Sequence, residues 1–171
     1  MRISCSTFRM SKFKNIYSCI SYSFLIAAGL LLDQITKCWV VSDLKPIRTF
    51  VLIKNILSLT YRENTGAAFS ILKGHTEFLT IITLLVTIVL LFVVISDKVK
   101  NVIAEYSLLF IAIGGLGNCI DRIFSGYVVD MFEFTFIDFA VFNVADIFVT
   151  CGSLLFICIF IFTKGNIFKW N

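Results

Sequence analysis

Four long apolar runs set the pattern of the chain, at about residues 16–37, 78–95, 102–123 and 142–162. At about 1.5 Å of rise per residue, runs of roughly 18 or more are long enough to cross a hydrocarbon layer of about 30 Å as helices. They are continuous rather than alternating, which excludes a membrane barrel built from strands of about ten alternating residues. Between the first two runs the pattern changes. Thr49–Ile53 and Leu57–Tyr61 read as short strands, broken by turn signals at Lys54-Asn55 and Asn64-Thr65-Gly66. The pattern predicts an all-α membrane protein of four transmembrane helices, a single domain over 1–171, with a small outward-facing β segment between helices 1 and 2. Residues 124–141 read as a loop returning to the outer side.

Composition strengthens this picture. The chain is 58% hydrophobic, with 19 Phe and 1 Pro, and its mean hydropathy is +0.94. A soluble domain of this size could not hide so much apolar surface. The net charge of +4 is no signal for nucleic acid, because the basic residues are spread over tails and loops with no aromatic interleaving. Their placement fits the cytoplasmic bias of Lys and Arg: Arg2, Arg9, Lys12 and Lys14 precede the first run, Lys98 and Lys100 join the second and third, and Lys164 and Lys169 follow the fourth. Both termini are therefore expected in the cytoplasm. The first run is too long for a signal-peptide core and ends without a small-x-small cleavage pattern, so it reads as a retained helix. The six cysteines form no CxxC pair. No metal, disulfide or cofactor role is expected of them.

This topology gathers the polar residues of the runs at one depth, the outer membrane edge. Asp33 and Lys37 end helix 1 with i, i+4 spacing. Asn118, Asp121 and Arg122 end helix 3, and Asn143 and Asp146 begin helix 4. Asp130 lies between the last two runs and Asn64 in the β segment. Ionisable residues at a hydrocarbon boundary mark a functional site by default. Asp121 beside Arg122 reads as a structural ion pair, and Asp33 with Lys37 as a brace. Glu133 and Asp138 read as solvated loop residues. Asp130 and Asp146 have no cation at helical spacing. They are either separate caps of a turn and a helix or, if adjacent, a pair sharing one proton, as in aspartic proteases. The stretch Asn64–Ser70 is either a close backbone approach to a partner or a plain turn. The sole histidine, His75, sits in a loop next to Gly74 with no recognisable nucleophile setting, so His-based catalysis is not supported.

Four blocks then carry a resemblance. They are Asp33-Gln34-x-x-Lys37, Asn64-Thr65-Gly66-Ala67-Ala68-Phe69, Gly115-x-Gly117-Asn118-x-x-Asp121-Arg122 with Val128-Val129-Asp130, and Phe142-Asn143-Val144-Ala145-Asp146. In this order they resemble the lipoprotein signal peptidases (signal peptidase II), bacterial intramembrane aspartic proteases, over about residues 20–160. The resemblance implies a catalytic pair, Asp130 and Asp146. It implies a substrate cleft lined by Asn64, Gly66, Asn118, Arg122 and Asn143, and a frame of Asp33, Lys37 and Asp121. It implies diacylglyceryl-modified prolipoproteins as substrates, cleaved before the modified cysteine without a cofactor. The expected setting is the bacterial cytoplasmic (inner) membrane, with the enzyme monomeric, in contact with lipid, and its active site near the outer face. The chain departs from the family in having Ile113-Gly114-Gly115-Leu116-Gly117-Asn118 where Gly-Gly-Ala-x-Gly-Asn is usual, and no Pro shortly before Phe142. Two rival readings are a proton-coupled transporter, which would place acids near the bilayer midplane on several helices, and a lipid-modifying transferase at the same surface.

Overall fold

The computed structural model describes residues 10–66, 72, 74–96 and 98–168, with side chains from residue 16 onward. Residues 1–9 and Lys169 of the basic tails, and 67–70 of the Asn64–Ser70 stretch, lie outside the described residues. Four helices are long and apolar enough to cross a membrane. They are α1 (Met10–Trp39), α3 (Thr76–Ile95), α4 (Val102–Ser125) and α5 (Val144–Phe162). Between α1 and α3 the chain forms a π-helical turn (Val40–Leu44), the short α2 (Lys45–Ile47), and strands β1 (Thr49–Ile53) and β2 (Leu57–Asn64). Strand β3 (Val128–Phe134) joins α4 to α5.

Helix α4 is the centre of the bundle. Of its most apolar 18-residue window 67% is buried, against 11–17% in the other three helices. The others expose Phe24, Phe78, Phe92, Leu154 and Ile161, as lipid-facing helices must. Two glycines let α4 and α5 touch through their backbones. A Cβ on Gly114 of α4 would overlap the Ala145 carbonyl oxygen, and one on Gly152 of α5 would lie 2.7 Å from the Ser107 carbonyl oxygen. Main chain cannot rotate away from a methyl group. Gly114→Ala is therefore expected to cost about 1–3 kcal/mol by overpacking, read as a lower midpoint of thermal unfolding in detergent; an unchanged midpoint would show that the two helices do not pack this closely.

Helix ends are set by local chemistry. The Asn101 side chain accepts from the Ile103 and Ala104 amides at 2.9 and 3.1 Å and caps α4. Gly126, at φ 79°, closes it in the left-handed conformation. Several boundaries differ from the sequence reading, the start of α1 at Met10 instead of about residue 16 among them. Helix α1 runs on past Lys37, and the π-helical turn puts Val40 and Leu44 against Leu59, Tyr61, Val129 and Met131, so this small core anchors the sheet to the bundle. Helix α3 starts at Thr76 and takes Glu77 into its first turn. Helix α5 starts at Val144, because Asn143 serves as its cap.

The sheet is antiparallel in the order β1-β2-β3. The hairpin of β1 and β2 falls where the sequence predicts, with Asn55 at φ 61° in its turn. Strand β3 is a correction: the loop expected over 124–141 contains a seven-residue strand paired to β2, from Leu57↔Phe134 to Asn64↔Val128, with a register break at Met131. Glu133 is accordingly no solvated loop residue, since it accepts a hydrogen bond from Thr60. Asp138 is exposed as expected.

Candidate active site

Three elements converge at one end of α4. Strand β3 supplies Asp130, the first turn of α5 supplies Asp146, and the last turns of α4 supply Asn118, Asp121 and Arg122. Asp130 and Asp146 line the same cavity, of about 440 Å³. Each carboxylate is held by amides. Asn64 and Asn143 donate to the two oxygens of Asp130 at 2.9 and 2.7 Å. Asn118 donates to Asp146 at 2.8 Å, and the Asn143 backbone N–H does so at 3.1 Å. The Asn143 side chain in turn accepts from the Asp146 N–H at 2.9 Å, which completes a capping box. Asp146 thus caps α5 and also faces the cavity. Among the described residues no cation makes an ion pair with either carboxylate.

Burial dominates the state of Asp130, which is 2% exposed. Its pKa is pushed up to about 7, first by desolvation and then by the Asp146 charge, with the amides of Asn64 and Asn143 pulling the other way. A carboxyl in this position can hold a proton at neutral pH beside a second carboxylate.

Beneath the pair lies a fully paired ionic frame. Lys37 sits 2.9 Å from Asp33 and 2.9 Å from Asp121, and donates to Asn118 at 3.2 Å. This corrects the expected Asp121–Arg122 pair. Successive residues on a helix point about 100° apart and do not face each other, so Asp121 turns to α1 while Arg122 turns to the β2–α3 loop, donating to the Gly66 carbonyl at 3.1 Å. The two frame acids share a geometry. Asp33 accepts from the Ala145 N–H at 2.9 Å, one residue before Asp146, and Asp121 accepts from the Val129 N–H at 3.1 Å, one residue before Asp130. Gln34 ties them together, donating to Asp33 at 3.1 Å and Asp121 at 3.0 Å.

Of the residues expected in the cleft, Asn64, Asn118 and Arg122 line the cavity. Gly66 is buried beside it, its N–H held by the Asn64 side chain at 2.9 Å. Asn143 departs from expectation. It is 0% exposed, and its amide donates to Asp130 and, at 3.1 Å, to Asn118. With both N–H groups so directed, it supports the carboxylates from below instead of forming the cleft wall. Sequence reasoning missed Gln34, which sits in the first motif block without an assigned role. It also missed the apolar wall of the cavity, formed by Phe134, Phe139, Phe142, Ile147 and Val149. The signal was there, in the density of Phe between 132 and 142.

Fold and site together define a four-span membrane protein with two carboxylates converging at the end of its central helix. Comparison with known proteins makes this specific. The family model for signal peptidase (SPase) II matches residues 25–162. A lipoprotein signal peptidase of Streptococcus thermophilus is 46% identical over 134 residues, covering 78% of this chain and 88% of that protein. One of Clostridium acetobutylicum is 42% identical over 145 residues, covering 83% and 94%. A bacterial membrane enzyme solved by the in meso method at 2.3 Å resolution superposes with a TM-score of 0.79 at 31% identity, covering 88% of this chain and 93% of that one. The chain belongs to the signal peptidase II family, and it is a multi-pass membrane peptidase.

Proposed function

We propose that this protein removes signal peptides from bacterial prolipoproteins by aspartic catalysis, cleaving before the diacylglyceryl-modified cysteine. Family membership supports the reaction. The convergence of Asp130 and Asp146 in one cavity, with no ion-pair partner among the described residues, supports the aspartic mechanism.

The pair holds one proton and positions one water. Asp130, the more buried carboxyl, carries the proton and donates it to the scissile carbonyl oxygen. Asp146 accepts a proton from the water, which attacks the carbonyl carbon to give a tetrahedral diol. Collapse breaks the C–N bond, with a proton passed to the leaving cysteine amine and the pair reset to one proton. Asn64 and Asn118 keep the carboxylates oriented, and Arg122 is placed to meet the substrate backbone. The apolar wall takes the hydrophobic end of the signal segment. Lys98 and Lys100 on the α3–α4 loop and Lys164 beyond α5 favour a cytoplasmic location for that end of the bundle, which supports an outer-face position for the site. Both carboxylates and all the groups that hold them come from one chain, so a single-domain monomer suffices.

The raised pKa of Asp130 sets a pH dependence. Below about 7 Asp130 keeps the proton it must donate; above that value it ionises and the acid is lost. The kcat of the purified protein on a diacylglyceryl-modified prolipoprotein is expected to fall as pH rises through about 7, and a rate that stays flat to about pH 9 would remove Asp130 from the role of acid. The reaction itself is tested by the mass of the products: a cut immediately before the modified cysteine is expected, and intact substrate or a cut elsewhere would overturn it.

A further inference from the structure

Arg62 is a charge that the mechanism leaves unused. It stands on β2 directly opposite Asp130 of β3, and opposed residues of an antiparallel pair project from the same face of the sheet. Asn64, two residues along β2, projects from that face too and reaches Asp130 at 2.9 Å. The sheet face that carries the reactive carboxyl therefore also carries a guanidinium, one strand away. The acids of the sheet are already engaged: Glu63 pairs with Lys45 at 3.1 Å and accepts from Tyr61 at 2.6 Å, and Glu133 accepts from Thr60. Arg62 is exposed, and among the described residues no ion pair engages it.

Its position relative to the cavity gives it a direction. The apolar wall includes Phe134, beyond Asp130 on β3, with Phe139 and Phe142 behind it. The membrane-held part of a substrate belongs on that side. Arg62 is exposed and stands outside the cavity lining, so the segment that leaves toward water, beyond the scissile bond, is the part of a substrate that can meet it. Opposed strand residues are about 5 Å apart at Cα, and an extended peptide covers about 3.3 Å per residue. Two or three residues beyond the bond thus reach a guanidinium one strand from Asp130.

We propose that Arg62 is a specificity residue that favours an acidic side chain two or three residues beyond the scissile bond. The inference rests on the peptidase reading of the Asp130–Asp146 site. It is tested with the full-length protein and three otherwise identical diacylglyceryl-modified substrates carrying Asp, Asn or Lys at those positions. In zwitterionic vesicles, kcat/KM for the Asp substrate is expected to exceed that for the Lys substrate by about threefold, as for an exposed charge pair, with the preference shrinking in high salt. Arg62→Gln is expected to erase this ratio and Arg62→Glu to invert it. A ratio measured on one preparation cancels its active fraction, so partial misfolding of a variant does not mask the result. Cleavage by the unaltered protein without charge preference overturns the inference and leaves the peptidase reading standing. So does a loss in Arg62→Gln that is equal for all three substrates and confined to anionic vesicles, which would make Arg62 a lipid-headgroup contact. Failure of the unaltered protein to cleave any of the three overturns the peptidase reading itself, and the inference with it.

Discussion

Asp130→Asn and Asp146→Asn are each expected to lower kcat by about 10³-fold or more while the protein still folds and inserts. Proton transfer by a positioned side chain contributes about 10²–10⁴-fold, and in the proposed mechanism one carboxyl gives a proton while the other takes one. An amide can do neither, yet it has almost the same shape and can still accept one of the hydrogen bonds now made by Asn64, Asn118 or Asn143. Groups that act as a unit are not additive, so the double variant is expected to be no slower than either single one. The assay is cleavage of a diacylglyceryl-modified prolipoprotein, with thermal unfolding in detergent as the control for folding. Activity within about tenfold of the unaltered protein in either variant would exclude the pair as the acid and base.

The second large effect is on stability. Lys37→Met removes the only cation paired with Asp33 and Asp121 among the described residues. These acids are 1% and 7% exposed. Breaking a buried ion pair by deleting one partner costs about 3–5 kcal/mol, because the remaining charge has neither water nor counter-ion. Here one deletion strands two carboxylates. A pronounced drop in the unfolding midpoint is expected, together with loss of cleavage, although Lys37 makes no hydrogen bond or ion pair with Asp130 or Asp146. An unaltered midpoint would mean that Gln34 and the backbone amides of Ala145 and Val129 satisfy the acids alone.

These two effects mark where sequence reasoning was strong and where it stopped. The spans were legible because lipid imposes continuous apolar runs, and the hairpin was legible because the runs Thr49–Ile53 and Leu57–Tyr61 are broken by a turn at Lys54-Asn55, although the second strand runs on to Asn64. The gathering of polar residues at one end followed from topology. The third strand was not legible. Val-Val-Asp-Met-Phe-Glu-Phe does not alternate cleanly, and its pairing is provided by β2, more than sixty residues earlier in the chain. The partner of Asp121 was misread for a related reason. Adjacency to Arg122 in the chain is not adjacency on a helix surface, whereas Lys37 arrives through the packing of α1 against α4. Asn143 is placed in the cleft by the family resemblance alone, which does not say which way its amide faces. Only the third dimension shows its amide directed at Asp130 and Asn118.

The twin grip of Asp33 and Asp121 bears on how this scaffold can change. Each acid fixes the peptide N–H adjoining one of the two cavity carboxylates, Asp130 or Asp146, and Lys37 fixes the acids to each other. The separation of Asp130 and Asp146 is then held through α1 as well as by the backbone pairing of Phe132 with Phe142, which closes the segment between them. That connecting segment, with exposed Phe136, Ile137 and Phe139, is left as an interchangeable part. Its length and side chains can drift, or be exchanged between relatives, to suit different signal sequences while the chemistry stays in register.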